Sequence, residues 1–94
     1  MKDLYISMAK AHLEEIGKDL DKMYSRAERM KESSRFVYLK LLDDLEIQHK
    51  ELLHRLKKMK KESMAALGDI IRSFEERLKS FQEAVVKTKY EVIQ

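Results

Sequence analysis

Ninety-four residues, 39% of them charged and 44% hydrophobic, are enough for one modest core but too few for a large enclosed active site. The chain has no Pro, no Cys and only two Gly, which excludes disulfides and thiolate metal sites and argues against a sheet protein with its frequent turns. The 20 basic and 17 acidic residues are well mixed, so the formal net charge of +3 does not by itself indicate a nucleic-acid partner.

The sequence also lacks signals for a membrane protein or a secreted protein. No apolar run approaches the roughly 20 residues that a membrane-spanning helix needs. The first residues, MKDLYISMAKAHLEE, are interrupted by charge too early for a signal peptide. We therefore expect a soluble protein of the cytoplasm with no transmembrane segment.

Three segments carry apolar residues at alternating steps of three and four, which places those residues on one stripe of a helix. The stripe of the first segment consists of Ile6, Ala9, Leu13, Ile16, Leu20, Met23, Ala27 and Met30. The stripe of the second consists of Tyr38, Leu42, Leu45, His49, Leu52, Leu56 and Met59. The stripe of the third consists of Leu67, Ile71, Phe74, Leu78, Phe81, Val85, Thr88 and Val92. Such spacing is typical of coiled coils and helical bundles.

Two short segments interrupt these stripes and predict the helix boundaries. KESSR (31–35) places two serines where the first stripe would continue, and KKESMAALGD (60–69) shifts the stripe and offers Ser63 as an N-cap. We predict helices near 3–31, 35–61 and 64–92. Because neither segment contains a strong helix breaker, a continuous helix of about 60 residues joined to one of about 30 remains an alternative.

The predicted fold is all-α, with 1–94 forming a single domain of three long amphipathic helices in an antiparallel bundle. The packing would be ferritin-like or of the coiled-coil kind. We expect oligomerisation, with a dimer favoured, to complete the core, because the same stripes could also build a four-helix core with a second chain. The stripe residues expected to carry self-association or the binding of a protein partner are Leu13, Ile16, Leu20, Met23, Met30, Leu67, Ile71, Phe74, Leu78 and Phe81.

A Glu-x-x-His spacing occurs twice in LLDDLEIQHKELLHRL (41–56), and residues three apart share a face of a helix. Glu51 and His54 point away from the stripe and are expected to face solvent. His49 lies on the stripe and Glu46 flanks it, so this pair could offer an imidazole and a carboxylate to one metal ion. Alternatively, His49 is a partly buried side chain bonded to a carbonyl or a carboxylate. In that case, replacing His49 with Leu should stabilise the packing of the stripe, because it removes an imidazole from an apolar position.

The surroundings of this pair resemble the second helix of rubrerythrins and related ferritin-like proteins. The matching positions are Tyr38, Leu41, Leu42, Asp44, Glu46, His49, Leu52 and Leu53. Upstream, Glu14, Gly17 and Leu20 are similar to the family's first helix, although Asp21 stands where the family has Tyr. Downstream, the spacing between Glu75 and Phe81 is similar to the spacing between the ligand glutamate and the aromatic residue in the family's first helix. No fourth helix carries a second inward Glu-x-x-His.

The resemblance implies a non-haem di-iron protein, an oxidoreductase or peroxidase acting on peroxide or oxygen, or an iron store. Iron would be bound by Glu46 and His49, with Glu14 or Glu75 supplying a bridging carboxylate. A two-fold dimer would double each contribution and complete the site. Against this alternative, we favour the hypothesis of a non-catalytic bundle, possessing no catalytic residues, that acts through self-association or partner binding on a degenerate ferritin-like scaffold.

A basic run, HRLKKMKK, lies near the end of the second predicted helix. Its cations are Arg55, Lys57, Lys58, Lys60 and Lys61. Cations at a helix C-terminus complement the helix dipole. A contact with phosphate or a membrane surface is the alternative, whereas the absence of interleaved aromatic residues argues against nucleic acid as a partner.

Overall fold

The computed structural model describes residues 2–91, which form three α-helices packed against one another. They are α1 (Lys2–Ala27), α2 (Glu32–Met59) and α3 (Met64–Glu91), and residues 2–91 contain no strand. The bundle is a rod of 51 × 17 × 16 Å. The predicted all-α three-helix bundle is confirmed. Residue 92, where the third helix was predicted to end, lies outside the described residues.

Both connections are four-residue turns, so the alternative of one long continuous helix is wrong. In the first turn the Met30 N–H donates to the Ala27 carbonyl at 3.1 Å, and in the second the Glu62 N–H donates to the Met59 carbonyl at 3.2 Å. At the end of the second turn, the Ser63 carbonyl accepts a hydrogen bond from the Ala66 N–H at 3.3 Å.

The first turn lies further from the serines than predicted. Lys31 is extended, with φ −64° and ψ 149°, and α2 begins at Glu32 rather than near residue 35. Ser33 and Ser34 therefore belong to the first turn of α2. Serine is tolerated there because the first N–H groups of a helix have no intrahelical partner for its side chain to disturb.

The three predicted stripes pack together and form the core of the chain. From the first helix, every stripe residue between Ile6 and Ala27 is buried. Leu13 and Leu42 are completely buried, and Phe74 and Phe81 each retain 1% exposure. Each such side chain contributes about 1.5–3 kcal/mol when it is fully removed from water. The helices α1 and α3 both pack along α2, and the Tyr5 and Phe74 rings meet edge-on at 6.4 Å between α1 and α3.

The ten stripe residues expected to bind another molecule lie in or against this core. Eight of them are buried, while Met30 and Ile71 are partly buried and packed on the cluster. The stripes are therefore covered within the chain itself. A second molecule that left this fold intact would have to use the side chains that remain exposed.

Candidate functional site

His49 lies on the inner side of α2 and crosses to the backbone of α1. Its Nε2 is 2.6 Å from the carbonyl oxygen of Leu13. A carbonyl can only accept a hydrogen bond, so Nε2 carries the proton and donates. This contact matches the packing interpretation of His49, in which a partly buried imidazole satisfies its polarity on a carbonyl across the bundle.

The imidazole fits into a gap that Gly17 provides on α1. A Cβ at Gly17 would lie 3.3 Å from the His49 Cε1 and 3.4 Å from its Nε2, which is a tight contact. On the other side, the Phe81 ring of α3 lies 6.0 Å from the imidazole, tilted by 42°. His49 thus touches both neighbouring helices. The role of Gly17 was not predicted. A glycine inside a long helix can indicate that a side chain of another helix packs closely against the helix backbone.

Glu46, the other half of the predicted pair, lies on the edge of α2 that faces α1. Its carboxylate is 3.9 Å from the Lys50 ammonium group, and its side chain is 43% exposed. Nearby, the Tyr24 hydroxyl donates to Asp43 Oδ1 at 2.8 Å. Burial, and then hydrogen bonds to Asp43 and Glu46, raise the pKa of Tyr24 well above its ordinary value.

The two other predicted ligands, Glu14 and Glu75, are exposed on different helices. Glu75 accepts a hydrogen bond from the Tyr5 hydroxyl. Burial is the main reason why the pKa of Tyr5 is raised, and this hydrogen bond and the charge of Glu75 add to the effect. Within residues 2–91, no three His, Asp or Glu side chains come together in a way that could hold a metal ion. A metal site that uses Glu46 and His49 would therefore need ligands from a second chain.

The second Glu-x-x-His pair is on the surface, as predicted. His54 is exposed, and Glu51 lies 3.3 Å from both Arg55 and Arg77, so that it links α2 to α3. Exposed ion pairs of this kind contribute at most about 1 kcal/mol. His12, also off its stripe, is exposed and bonded to Gln82 of α3. Glu51 and His12 hold neighbouring helices together, and neither adjoins a group of potential metal ligands.

The outer face of α2 carries a second row of residues with stripe spacing. It consists of Phe36, Lys40, Asp43 and Ile47, separated by steps of four, three and four, and all four are exposed. Phe36 is 70% exposed and Ile47 is 64% exposed. We call these four residues the outer α2 row. It was not predicted, because only two of its members are apolar, although the spacing was visible in the sequence.

No protein-family model matches this chain, and no curated protein or solved structure is significantly similar to it. The resemblance to rubrerythrins therefore stays a prediction. Among the described helices, none is both long enough and apolar enough to span a membrane.

Proposed function

We propose that this protein is a non-catalytic helical bundle that acts as a homodimer, joined through the outer α2 row. The observation that supports this is the exposure of Phe36 and Ile47 on one line of α2, with a cation and an anion between them. Large apolar side chains that are exposed in a row are a common mark of an interaction surface. Val37, 60% exposed, flanks this surface beside Phe36.

The row is complementary to a second copy of itself. The midpoint between Phe36 and Ile47 is the same as the midpoint between Lys40 and Asp43, near Leu41 and Leu42. If two α2 helices cross antiparallel about a two-fold axis at that point, Phe36 of one copy meets Ile47 of the other. Lys40 of each copy then meets Asp43 of the other. A two-fold interface requires this kind of self-complementarity.

The proposed dimer is weak. Two Phe36 and two Ile47 side chains contribute about 1.5–3 kcal/mol each when fully buried. Association itself costs about 4–15 kcal/mol in lost translational and rotational freedom. The most favourable combination, about 12 kcal/mol from burial against about 4 kcal/mol for association, leaves about 8 kcal/mol, so we expect a dissociation constant in the micromolar range or weaker.

The alternative function is that of a non-haem iron oxidoreductase, with iron held by Glu46 and His49 and with Glu14 or Glu75 as a bridging ligand across a dimer. It would require Nε2 of His49 to leave the Leu13 carbonyl or the metal to bind through Nδ1. No observation in residues 2–91 favours iron chemistry over self-association. Elemental analysis of the iron-treated protein distinguishes the two functions.

Sedimentation velocity over a wide range of concentrations tests the dimer. The variant Phe36→Glu/Ile47→Glu should remain monomeric at concentrations where the parent associates. The matched control is Leu4→Glu/Met8→Glu, which alters two α1 residues that are 61% and 65% exposed. The control should associate like the parent. Equal loss of association in both variants would point to general surface stickiness and would refute the proposed interface.

A charge exchange tests the two-fold arrangement itself. Lys40→Glu places a carboxylate against Asp43 of the second copy, and Asp43→Lys places two lysines together, so each variant alone should dimerise less than the parent. An equimolar mixture of the two variants should restore association. In a dimer with one copy of each variant, the two introduced charges are opposite in sign and face each other. At the second contact the original Lys40 and Asp43 face each other. Helical content by circular dichroism checks that Asp43→Lys, which removes the partner of Tyr24, still folds. If the mixture associates no more than each variant alone, the two-fold arrangement is wrong.

A further inference from the structure

The net charge of the protein is concentrated at one end of the rod. Residues 55–69 contain five basic and two acidic side chains, a local excess equal to the +3 of the whole chain. The remaining 15 basic and 15 acidic residues balance each other. We call residues 55–69, together with the start of α1 that packs on them, the basic end. The long body of the bundle is neutral by comparison.

The lysines of the basic end are free to interact with another molecule. Lys57, Lys58, Lys60 and Lys61 are exposed, and none of them forms an ion pair with a carboxylate of residues 2–91. Lys2 is different, because its ammonium group donates to the Lys60 carbonyl at 2.8 Å and to the Glu62 carbonyl at 3.1 Å. These bonds fix the start of α1 beside the turn between α2 and α3.

The helix ends reinforce the positive potential. The N-termini of α1 and α3 and the C-terminus of α2 meet at the basic end. A helix N-terminus carries about half a positive elementary charge and a C-terminus about half a negative one. Two N-termini against one C-terminus leave a positive excess, which adds to that of the side chains.

A small open recess lies among these residues, and it has two cations, Arg55, which pairs with Glu51 at 3.3 Å, and Lys58, which forms no ion pair with a carboxylate of residues 2–91. It has a volume of about 130 Å³ and is lined by Arg55, Lys58, Met59, Glu62, Ile70 and Phe74. The Nε–H of Arg55 is buried and has no hydrogen-bond partner in residues 2–91. A buried donor without a partner is costly, so a movement of the Arg55 side chain that brought this N–H to a phosphate oxygen in the recess would be favourable.

The basic end also exposes large apolar side chains. Met64, the first residue of α3, is 74% exposed, and Leu4, two residues after Lys2, is 61% exposed. A free phosphate ion or a nucleic-acid strand would gain nothing from them, and the aromatic residue of the recess, Phe74, is buried and unable to stack on a base. Cations beside exposed apolar residues suit the interface of an anionic membrane.

We propose that the basic end docks on an anionic phospholipid surface. Lys57, Lys58, Lys60 and Lys61 attract the surface, Arg55 and Lys58 take up a headgroup phosphate at the recess, and Leu4 and Met64 enter the headgroup region. The rod stands on the membrane by one end. This function does not depend on the outer α2 row, which lies on another part of the bundle.

Co-sedimentation of the full chain with vesicles tests this docking. The vesicles are phosphatidylcholine alone or phosphatidylcholine with about 30% phosphatidylserine. We expect binding to the anionic vesicles only, with a steep loss as the salt concentration rises. Each lysine near such a surface contributes roughly a fivefold factor, so Lys57→Gln/Lys60→Gln/Lys61→Gln should bind roughly 100-fold more weakly.

The matched control removes three exposed lysines from the body of the bundle, as Lys10→Gln/Lys22→Gln/Lys79→Gln. It has the same net charge as the first variant and should bind like the parent to within about threefold. Equal losses in the two variants would show that only net charge matters and would overturn the proposal. Leu4→Ser/Met64→Ser, with its charges intact, should bind roughly tenfold more weakly. Circular dichroism establishes that each variant is folded.

Two competitors identify the source of the phosphate. Inorganic phosphate should release no more protein from the anionic vesicles than chloride of the same ionic strength. Full release by phosphate would mean that the recess binds a free anion and would overturn docking on a surface. A single-stranded oligonucleotide that binds more tightly than the vesicles, and loses that binding in the triple-lysine variant, would replace the membrane with nucleic acid as the partner.

Discussion

The inner and outer faces of α2 use similar residues for different purposes. The inner face has leucines, an aromatic residue and a histidine, all at stripe spacing and in contact with α1 or α3. The outer face has Phe36, Ile47 and His54 along one line of the helix, and all three are exposed. His49 and His54 even follow a glutamate at the same interval. The comparison teaches that spacing identifies a face of the helix, whereas the role of that face depends on what lies opposite.

Truncating one apolar side chain on each face should show the largest difference. Leu42→Ala removes a completely buried side chain and should lower the free energy of unfolding by about 2–5 kcal/mol. Ile47→Ala removes a side chain that is 64% exposed and should change it by less than about 0.5 kcal/mol in the dilute monomer. Urea denaturation measures both. Similar losses would mean that Ile47 is covered in the monomer.

The aromatic hydroxyl on the inner face should be a source of instability. Tyr38 is buried, and its hydroxyl has no hydrogen-bond partner in residues 2–91. Removing this hydroxyl in Tyr38→Phe should therefore raise the free energy of unfolding by about 1 kcal/mol. Tyr90→Phe, at a residue that is 64% exposed, is the control and should have no effect. A loss of stability in Tyr38→Phe would reveal a hydrogen bond of this hydroxyl.

The same tyrosine should make the fold sensitive to alkali. Burial raises the pKa of Tyr38, although the charge of Arg26 partly lowers it. The unfolded chain then ionises first as the pH rises past about 10, so stability is complete below that pH and falls above it. Chemical denaturation between about pH 8 and pH 11 measures the slope. Tyr38→Phe should show a shallower fall than the parent, and an identical slope would assign the alkaline sensitivity to other groups.

The two glycines offer a smaller test of the inner contact. A Cβ at Gly68 would meet nothing within 4 Å, so Gly68→Ala should gain up to about 1 kcal/mol from helix propensity. Gly17→Ala should gain less than half of that, because its Cβ presses on the imidazole of His49. In a His49→Ala background Gly17→Ala should recover the full gain. Equal gains in both backgrounds would show that His49 moves aside at no cost.

His49 itself should have the smallest net effect on stability. From the sequence, His49→Leu is expected to strengthen the stripe, but the bond to the Leu13 carbonyl opposes that gain. The lost hydrogen bond costs about 0.5–1.5 kcal/mol, while the added apolar burial contributes about 1 kcal/mol. We expect a change below about 1 kcal/mol and equal iron content in parent and variant after ferrous incubation and desalting. Near-stoichiometric iron in the parent alone would establish the metal site instead.

The part of the candidate site that could be predicted is the part that depends on local spacing. The sequence places His49 on the inner stripe and His54 outside it, because both follow from 100° per residue along one helix. It does not reveal that His49 meets Leu13, Gly17 and Phe81, since these residues lie on other helices. The outer α2 row could not be predicted, because a mixed apolar and charged stripe has the pattern of an ordinary solvated face.

By itself the sequence determined that the chain is helical, that it has three apolar stripes, and which residues of each stripe avoid water. These properties follow from composition and from steps of three and four, which act within a few turns of one helix. Only the tertiary structure decided that the stripes cover one another within the chain and that both connections are turns. It also decided that the lysines of the basic end gather around the start of α1. Each of these depends on contacts between residues distant in sequence, and periodicity along one helix contains no information about its partner.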